Sequence, residues 1–353
     1  MIKDYSEKII SDSFFNIIKM EDSLVINLKN NNNLLISSWL NGGICHNFEN
    51  VVNLTVDGTD YDDLLNANFD NFQKKKFLNL GLNPDKTAGL LTSACMDNYA
   101  ISVKKYEELK VTTVVTAGAD KNAVKAGDKA SFYEYNNKYL THFGTINIIT
   151  IIDANLEDGS LVTAAITATE AKTSVLQDLK IESQYSSGIA TGTGTDGICL
   201  ISNKNSTNHL ENAGKHSKLG ELIAKSVYEA TKEALYLQTF MSEDFQRTVL
   251  SRLSRFNITF DDFYNQVSSL DKSVYLERFY YFNKNSENVA LVSSILNLID
   301  EVQLGLLDLK DILNPVNILL TSCLQVSIEN KKIESIEDIL DLLINFINQY
   351  LFD

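Results

Sequence analysis

The stretch of sequence most typical of a β-strand is Gly144-Thr-Ile-Asn-Ile-Ile-Thr-Ile-Ile-Asp153. Its apolar residues run almost without interruption, which is the pattern of a strand buried on both faces of a sheet. The segment that follows, Leu156-Glu-Asp-Gly-Ser160, is typical of a turn. Leu161–Ile166 then fits either another strand or the start of a helix. We therefore expect a layered domain built around this strand, with helices packed on the sheet.

Two helices are predicted on the carboxyl side of this strand. Thr167-x-x-Glu170 has the spacing of a capping box, so the first helix is expected to begin near Thr167. The second is expected to begin near Ser217, because apolar residues recur from Leu219 to Leu237 at helical spacing. These alternating elements predict an α/β or α+β fold, a layered sheet-and-helix domain.

Shorter elements are predicted on the amino side. The runs Leu24–Leu28 and Leu34–Ser38 flank an Asn-rich stretch and are interpreted as one hairpin with a polar loop. Val51–Val56 and Val111–Thr116 are β-branched runs typical of strands. A helix is expected over Tyr61–Leu80. The amino half of the domain is thus expected to supply most of the strands.

A glycine-rich run, Gly188-Ile-Ala-Thr-Gly-Thr-Gly-Thr-Asp-Gly197, follows the first helix. It contains Gly192-x-Gly194-x-x-Gly197, the spacing of a dinucleotide-binding loop. Such a loop must follow a strand and open a helix, whereas this run follows polar residues and opens the β-type run Ile198–Ser202. Two interpretations remain about equally supported: a loop that binds a polar ligand, or a tight connection between a helix and a strand.

The composition changes near residue 240. Gly305 is the only glycine after Gly220, and helical patterns dominate, with helices expected to begin at Ser242 and Ser335. We therefore predict a domain over residues 1–240 and an all-helical C-terminal module over residues 241–353. An apolar face on the last helix would favour a homo-oligomer or a partner protein bound through the C-terminal helices.

Charge and cysteine usage limit the possible functions. The chain has 31 Lys and Arg against 46 Asp and Glu, a formal net charge of −15. Nucleic acid and anionic membrane surfaces are not expected as partners, because binding them requires clustered basic residues. The four cysteines are scattered, which predicts a cytoplasmic protein with free thiols. No apolar run is long enough to suggest a transmembrane helix.

Several polar residues lie beside small ones, as is common in ligand sites. Asn147 interrupts an apolar strand, and a buried amide needs hydrogen-bonding partners. His216 precedes a predicted helix and could be a general acid/base or a surface residue, the latter being the more common outcome. Glu170 is explained by the capping box alone. The four histidines show no spacing typical of a zinc site, so no metal is assigned.

A string of short motifs in order extends this picture. It includes Ser37-Ser-Trp-Leu-Asn-Gly-Gly43, Gly89-Leu-Leu-Thr-Ser-Ala94, Gly144-Thr-Ile-Asn-Ile148, Thr169-Glu-Ala-Lys-Thr173, Ala190-Thr-Gly-Thr-Gly-Thr-Asp196 and Ala213-Gly-Lys-His216. Over about residues 33 to 237 the string resembles the adenosylcobinamide amidohydrolase family, CbiZ. The resemblance implies hydrolysis of the amide that joins aminopropanol to adenosylcobinamide, giving adenosylcobyric acid in corrinoid salvage. The corrinoid is then a small-molecule substrate, and no cofactor is implied.

The resemblance also suggests site residues. As a hypothesis, Glu170 or Asp196 activates water, backbone N–H groups of residues 191–195 hold the oxyanion, and His216 or Lys172 protonates the leaving amine. An alternative makes Thr145 or another Thr or Ser the covalent nucleophile, with self-cleavage at Gly144–Thr145 as one version. The residues expected to bind substrate are Asn41, Gly42, Gly43, His46, Asn53, Asn147, Thr191, Gly192, Thr193, Gly194 and Thr195. A non-catalytic corrinoid-binding or regulatory protein is the alternative function.

Overall fold

The computed structural model describes residues 7–29, 31–58, 60, 69–130, 133, 145–324 and 333–352. The chain divides into two compact units, Met1–Ser242 and Glu243–Asp353. The strands are β1 Glu7–Ser11, β2 Phe15–Lys19, β3 Ser23–Leu28, β4 Asn32–Ile36, β5 Gly43–His46, β6 Asn50–Thr55, β7 Thr87–Thr92, β8 Ala100–Tyr106, β9 Leu109–Ala117, β10 Ala123–Val124, β11 Ile146–Ile152, β12 Asn155–Leu156, β13 Gly192–Thr193, β14 Gly197–Asn203 and β15 His209–Leu210. The helices of the first unit are α1 Phe69–Asn79, α2 Asp158–Asp178 and α3 Lys218–Thr239.

The first unit contains two mixed sheets. One has the strand order β1-β2-β3-β6-β7 and the other the order β5-β4-β14-β11-β9-β8. At the centre of the second sheet β11 pairs parallel to β14 and antiparallel to β9. All seven residues of β11 are buried, which confirms the prediction that this strand is covered on both faces.

Three apolar cores separate the layers of this unit. Ile149 and Ile151 of β11 belong to the core between the two sheets. Ile148 and Ile152 point to the opposite face and join the core beneath α2 and α3, because successive residues of a strand alternate between its faces. The outer face of the five-stranded sheet is covered by Phe72 and Phe77 of α1. The unit is therefore a layered α+β domain, which confirms the predicted fold class.

The predicted hairpin is wrong. β3 pairs with β2 and β6 in the first sheet, whereas β4 pairs with β14 and β5 in the second. Asn32 and Asn33, expected in an exposed loop, are buried strand residues, and the side chain of Asn32 donates to the Phe48 carbonyl at 2.8 Å. Local polarity indicated a turn, but it carries no information about which strand lies alongside in space.

The start of α2 also differs from the expectation. The helix begins at Asp158, so Leu161–Ile166 is helical and Thr167 lies in its interior. The Thr167 hydroxyl donates to the Ala213 carbonyl at 2.8 Å instead of capping the helix. In contrast, α3 begins after Ser217, whose hydroxyl accepts from the Gly220 N–H at 3.0 Å, as predicted. The helix expected over Tyr61–Leu80 is observed as α1 over Phe69–Asn79. Residues 61–68 lie outside the described residues.

The described residues of the second unit form helices joined by turns and short loops, without a strand. Its helices are α4 Val249–Leu253, α5 Phe260–Asn265, α6 Lys272–Lys284, α7 Ser286–Gln303, α8 Leu309–Leu324 and α9 Ile336–Phe352. The first helix is capped by Thr248, so the predicted start at Ser242 is wrong. Ser335 does cap α9, since its hydroxyl accepts from the Asp338 N–H at 3.2 Å.

The apolar stripe of α9 packs inside its own unit. Ile339, Leu343 and Ile347 are fully buried in a core shared with the other helices. In the same core the Tyr275 hydroxyl donates to the Asn348 side-chain oxygen at 2.5 Å, and Asn348 donates to the Phe263 carbonyl at 3.0 Å. These paired polar groups fix the position of α9 against α5 and α6. Nowhere in the described ranges is a helix both long enough and apolar enough to cross a bilayer.

A pH-dependent contribution to stability is expected from the ion pair between Asp12 and Lys110. Burial raises the pKa of Asp12, but hydrogen bonds from Lys110 and from the Phe14 N–H, together with the Lys110 charge, outweigh this and hold the pKa below its ordinary value. A carboxyl whose pKa is lowered by folding stabilises the folded state above its unfolded pKa, and that contribution disappears as the pH falls through the folded pKa. Asp12→Asn should therefore cost up to about 1 kcal/mol near pH 7 and less toward pH 3.

Urea unfolding of the full chain measures this difference, followed by the fluorescence of Trp39, the single tryptophan, which lies in the first unit. A destabilisation of equal size at both pH values would contradict the prediction.

Candidate active site

The amino ends of the parallel strands β11 and β14 meet at one edge of the six-stranded sheet. Asn147 of β11 lies opposite Gly197 of β14. Thr145 and Asp196, which immediately precede the two strands, are therefore brought to the same edge. The Thr145 hydroxyl donates to the main-chain carbonyl of Thr195, which ties the two strand starts together.

Asp196 is the centre of the polar contacts at this edge. Its Oδ1 accepts from the Thr193 N–H at 3.0 Å, from the Thr193 hydroxyl at 2.6 Å and from the Ile146 N–H at 3.3 Å. Its Oδ2 pairs with the ammonium of Lys172, which α2 supplies. We call Thr193, Asp196 and Lys172 the Asp196 cluster.

The lysine of the Asp196 cluster is almost completely withdrawn from water. The Lys172 side chain is 8% exposed and that of Asp196 21%. Hydrogen bonds between ionised partners are stronger than neutral ones, and removal of either partner from a buried pair leaves an uncompensated charge. The cluster is therefore a fixed arrangement of one negative and one positive group at the edge of the sheet.

Glycines allow the loop to approach these side chains closely. A Cβ atom on Gly192 would lie 2.3 Å from Asp196 Oδ2 and 2.6 Å from Lys172 Nζ. A Cβ atom on Gly194 would lie 3.0 Å from the side-chain oxygen of Asn122, and the Gly194 N–H donates to the Asn122 carbonyl at 3.2 Å. The glycine-rich run thus lets backbone pack directly against charged groups, a use that differs from dinucleotide binding.

The start of the same loop is held from two sides. β13 pairs with β10 through Thr193 and Ala123. The Thr191 hydroxyl accepts from the Ala126 N–H at 2.8 Å, and its carbonyl accepts from the Thr173 hydroxyl at 2.9 Å. Gly194 and Thr195 remain exposed at the tip of the loop.

A buried amide network lies between the two sheets beside this edge. The Asn147 side chain donates to Asn53 Oδ1 at 2.8 Å and to the Leu91 carbonyl at 3.0 Å. Asn53 in turn donates to the Thr116 hydroxyl at 2.8 Å. The Asn147 Oδ1 atom is buried and has no hydrogen-bond partner in the described part of the chain. The expected partners of the buried amide are therefore found, although one acceptor is left over.

Two of the expected catalytic residues do not join the Asp196 cluster. Glu170 is exposed and pairs with Lys215, both side chains being at least half exposed. It is two residues from Lys172 in α2, about 200° around the helix, and therefore lies on another face. His216 is exposed and forms no hydrogen bond to the cluster within the described residues.

Four residues expected to bind substrate lie in β5 or in the loop between β4 and β5, and they stabilise that loop. Asn41 donates to the carbonyls of Pro84 and Thr87 at 2.8 Å each. A Cβ atom on Gly42 would lie 2.1 Å from the Ser38 carbonyl oxygen, and Gly43 has a φ of +96°, so glycine is required at both positions. The His46 ring contacts the Asn33 side-chain oxygen at 2.7 Å. These contacts account for the shape of the loop without a ligand.

Two residues of the site were not singled out individually from the sequence. Thr116 completes the amide network from the adjacent strand, and Asn122 lies against Gly194. Thr116 is one of three buried threonines of β9, with Thr112 and Thr113, so no signal in the sequence distinguishes it. Among the described residues no group of three His, Cys, Asp or Glu could hold a metal ion. Burial raises the pKa of the Cys199 thiol, which disfavours its thiolate form.

The fold and this cluster define a layered α+β protein with a buried lysine–aspartate pair at a sheet edge. A family model described as adenosylcobinamide amidohydrolase, CbiZ, matches residues 7–243. This chain belongs to that family. The predicted family resemblance is thereby confirmed, and the match ends close to the boundary of the first unit.

The chain is also similar to an uncharacterized protein and, remotely, to a solved structure. An uncharacterized protein of Methanocaldococcus jannaschii is 36% identical over 184 residues, which cover 48% of this chain and 71% of the relative. A crystal structure of a Pyrococcus horikoshii protein aligns over 65% of this chain and 82% of its own, at 12% identity and a TM-score of 0.32. So remote a structural likeness informs neither the fold nor the site.

Proposed function

We propose that this chain hydrolyses the amide between aminopropanol and adenosylcobinamide, giving adenosylcobyric acid and aminopropanol. Membership of the amidohydrolase family supports the reaction class. One observation carries the proposal: the carboxylate of Asp196 pairs with the Lys172 ammonium and also accepts a hydrogen bond from the Thr193 hydroxyl. The corrinoid is the substrate, and the reaction takes place in the cytoplasm as part of corrinoid salvage.

The Thr193 hydroxyl is the nucleophile in this proposal. An unactivated amide requires an activated nucleophile, and a hydroxyl is activated by an adjacent base. The Thr193 hydroxyl already donates its proton to Asp196 Oδ1 at 2.6 Å. As its oxygen bonds to the amide carbon, the proton passes to Asp196. Thr145 is less suited to this role, because its hydroxyl donates to a main-chain carbonyl, which is a weak base.

Lys172 acts as the acid for the leaving amine. Cleavage of the carbon–nitrogen bond requires a proton on nitrogen, and the Lys172 ammonium is the donor that the Asp196 cluster supplies. Aminopropanol then departs with that proton and leaves Lys172 neutral. Water attacks the ester on Thr193 and gives a proton to Lys172, while Asp196 returns its proton to the Thr193 oxygen, so that the acid is released and the cluster is restored.

The N–H groups of Gly194 and Thr195, at the exposed tip of the same loop as Thr193, are the donors proposed to stabilise the oxyanion. To do so they must leave their present acceptors, the Asn122 carbonyl at 3.2 Å and the Thr193 hydroxyl at 3.5 Å.

Mass spectrometry of the purified full chain incubated with adenosylcobinamide tests the reaction. We expect adenosylcobyric acid and aminopropanol to appear in equal amounts over time. A parallel sample with heat-denatured protein controls for spontaneous hydrolysis. Unchanged adenosylcobinamide in the presence of folded protein would contradict the proposal. A denaturing gel of the same sample tests whether the chain cleaves itself between Gly144 and Thr145. Gly144 lies outside the described residues.

A further inference from the structure

Thr191 lies where the glycine-rich run meets two neighbouring parts of the first unit. Its hydroxyl accepts from the Ala126 N–H at 2.8 Å, and its carbonyl accepts from the Thr173 hydroxyl of α2 at 2.9 Å. Its own N–H donates to the Val124 carbonyl of β10 at 3.0 Å. All three polar groups of Thr191 are thus engaged with the protein, although the sequence predicts a residue that binds substrate.

The turn that carries Ala126 is fixed by its own hydrogen bonds. Gly127 has a φ of +99°, a conformation that favours glycine. The Lys125 N–H donates to an oxygen of the Asp128 carboxylate at 3.1 Å, and the Ser183 hydroxyl donates to the same oxygen at 2.6 Å. The N–H group that this turn offers to the glycine-rich run therefore has a fixed position.

The contact with α2 is adjacent to the proposed acid. Thr173 follows Lys172 directly in the helix. Its hydroxyl is shared between the Thr191 carbonyl at 2.9 Å and the Thr169 carbonyl at 3.0 Å. Thr193, the proposed nucleophile, lies two residues beyond Thr191. Thr191 therefore ties the backbone that carries the nucleophile to the helix residue next to the acid.

We infer that Thr191 is a positioning residue, which sets the separation between the Thr193 hydroxyl and the Lys172 ammonium. Both groups must reach the same amide, one at its carbon and the other at its nitrogen, so an error in their separation slows the reaction. Displacement of a reacting group by about 1 Å can cost about 100-fold in rate. This inference rests on the proposed function and gives Thr191 a role other than contact with the substrate.

Steady-state kinetics of Thr191→Val with adenosylcobinamide test the inference. Valine keeps the shape of the side chain and removes the oxygen that accepts from the Ala126 N–H. We expect kcat to fall about tenfold or more while KM stays within about twofold, because the loop shifts without loss of a substrate contact. Thr191→Ser keeps the hydroxyl and should restore most of kcat. Thr163→Val is the matched control and should leave kcat unchanged, since the Thr163 hydroxyl donates only within α2, to the Gly159 carbonyl at 3.1 Å.

Two kinetic outcomes would overturn the inference while the wild-type protein is active. One is an unchanged kcat in Thr191→Val. The other is a raised KM with an unchanged kcat, which would show that the hydroxyl binds substrate directly, as the sequence predicts. Circular dichroism establishes that each variant is folded. If Thr191→Val is unfolded, Thr173→Val, which removes the contact with α2, takes its place with the same expected result.

A measurement that needs no turnover separates this inference from the proposed function. If the wild-type protein shows no hydrolysis, the proposed function is wrong, and the rate at which acetic anhydride labels Lys172 decides the inference instead. The Lys172 side chain is 8% exposed in its pair with Asp196, so a displaced loop should make its labelling several-fold faster in Thr191→Val. Labelling of Lys215, which is exposed, should be equal in both proteins. Equal labelling of Lys172 in the two proteins would overturn the inference.

Discussion

Replacing Lys172 by methionine should lower kcat for adenosylcobinamide hydrolysis by about a hundredfold or more. General acid–base groups commonly contribute about 10²- to 10⁴-fold to a rate, and Lys172 is the donor placed in the Asp196 cluster. Methionine keeps much of the length of the side chain and removes the charge. The measurement is product formation at saturating substrate, followed by mass spectrometry.

Lys215→Met is the matched control for this change. Lys215 also pairs with an acidic residue, Glu170, but the pair is exposed, and exposed pairs contribute little. Its kcat should therefore stay close to that of the wild type. Equal losses in both variants, or none in Lys172→Met, would contradict the assignment. Because loss of a buried partner destabilises the fold, each variant is compared at a temperature where circular dichroism shows it folded.

The same assay distinguishes the nucleophile. Thr193→Val keeps the shape of the side chain and removes the hydroxyl that donates to Asp196, so kcat should fall at least as far as in Lys172→Met. Thr193→Ser keeps the hydroxyl and should retain measurable turnover. If Thr193→Val stays active and Thr145→Val does not, the nucleophile is Thr145.

Replacing Gly220 by alanine should destabilise the first unit by about 3 kcal/mol, which is opposite to the effect expected from helix propensity. Gly220 lies in the first turn of α3, where alanine is intrinsically favoured. A Cβ atom there would lie 2.1 Å from the Gly214 carbonyl oxygen and 2.7 Å from that of Ala213. Both are backbone atoms, and the Ala213 carbonyl is also held by Thr167. Overpacking against groups that cannot move costs about 1–3 kcal/mol or more.

Gly159→Ala is the control, because Gly159 lies in the first turn of α2 and its Cβ would meet no atom within 4 Å. This variant should be unchanged or more stable by up to about 1 kcal/mol. Urea unfolding followed by Trp39 fluorescence measures both variants in the full chain. Similar stabilities for the two variants would show that the segment at Ala213 and Gly214 yields to the added methyl group.

The elements that could be predicted from the sequence are those whose signal is local. β11 follows from an unbroken apolar run, α3 from a serine cap and an apolar stripe, and α9 from a second serine cap. The start of α2 could not be located in this way, because Thr167 and Glu170 have capping-box spacing inside the helix. Spacing records which residues could cap a helix, whereas the surrounding chain decides whether they do.

For the candidate site, too, part could be predicted from local sequence signals and part depended on tertiary contacts. The sequence by itself determined the membership of the family, the strand β11 and the glycine-rich run, because each depends on residues that are close along the chain. Only the tertiary structure joined Lys172 to Asp196 and separated both from Glu170. The physical reason is that helix periodicity sends residues 170 and 172 to different faces, while parallel pairing of β11 with β14 brings Thr145 and Asp196 to one edge.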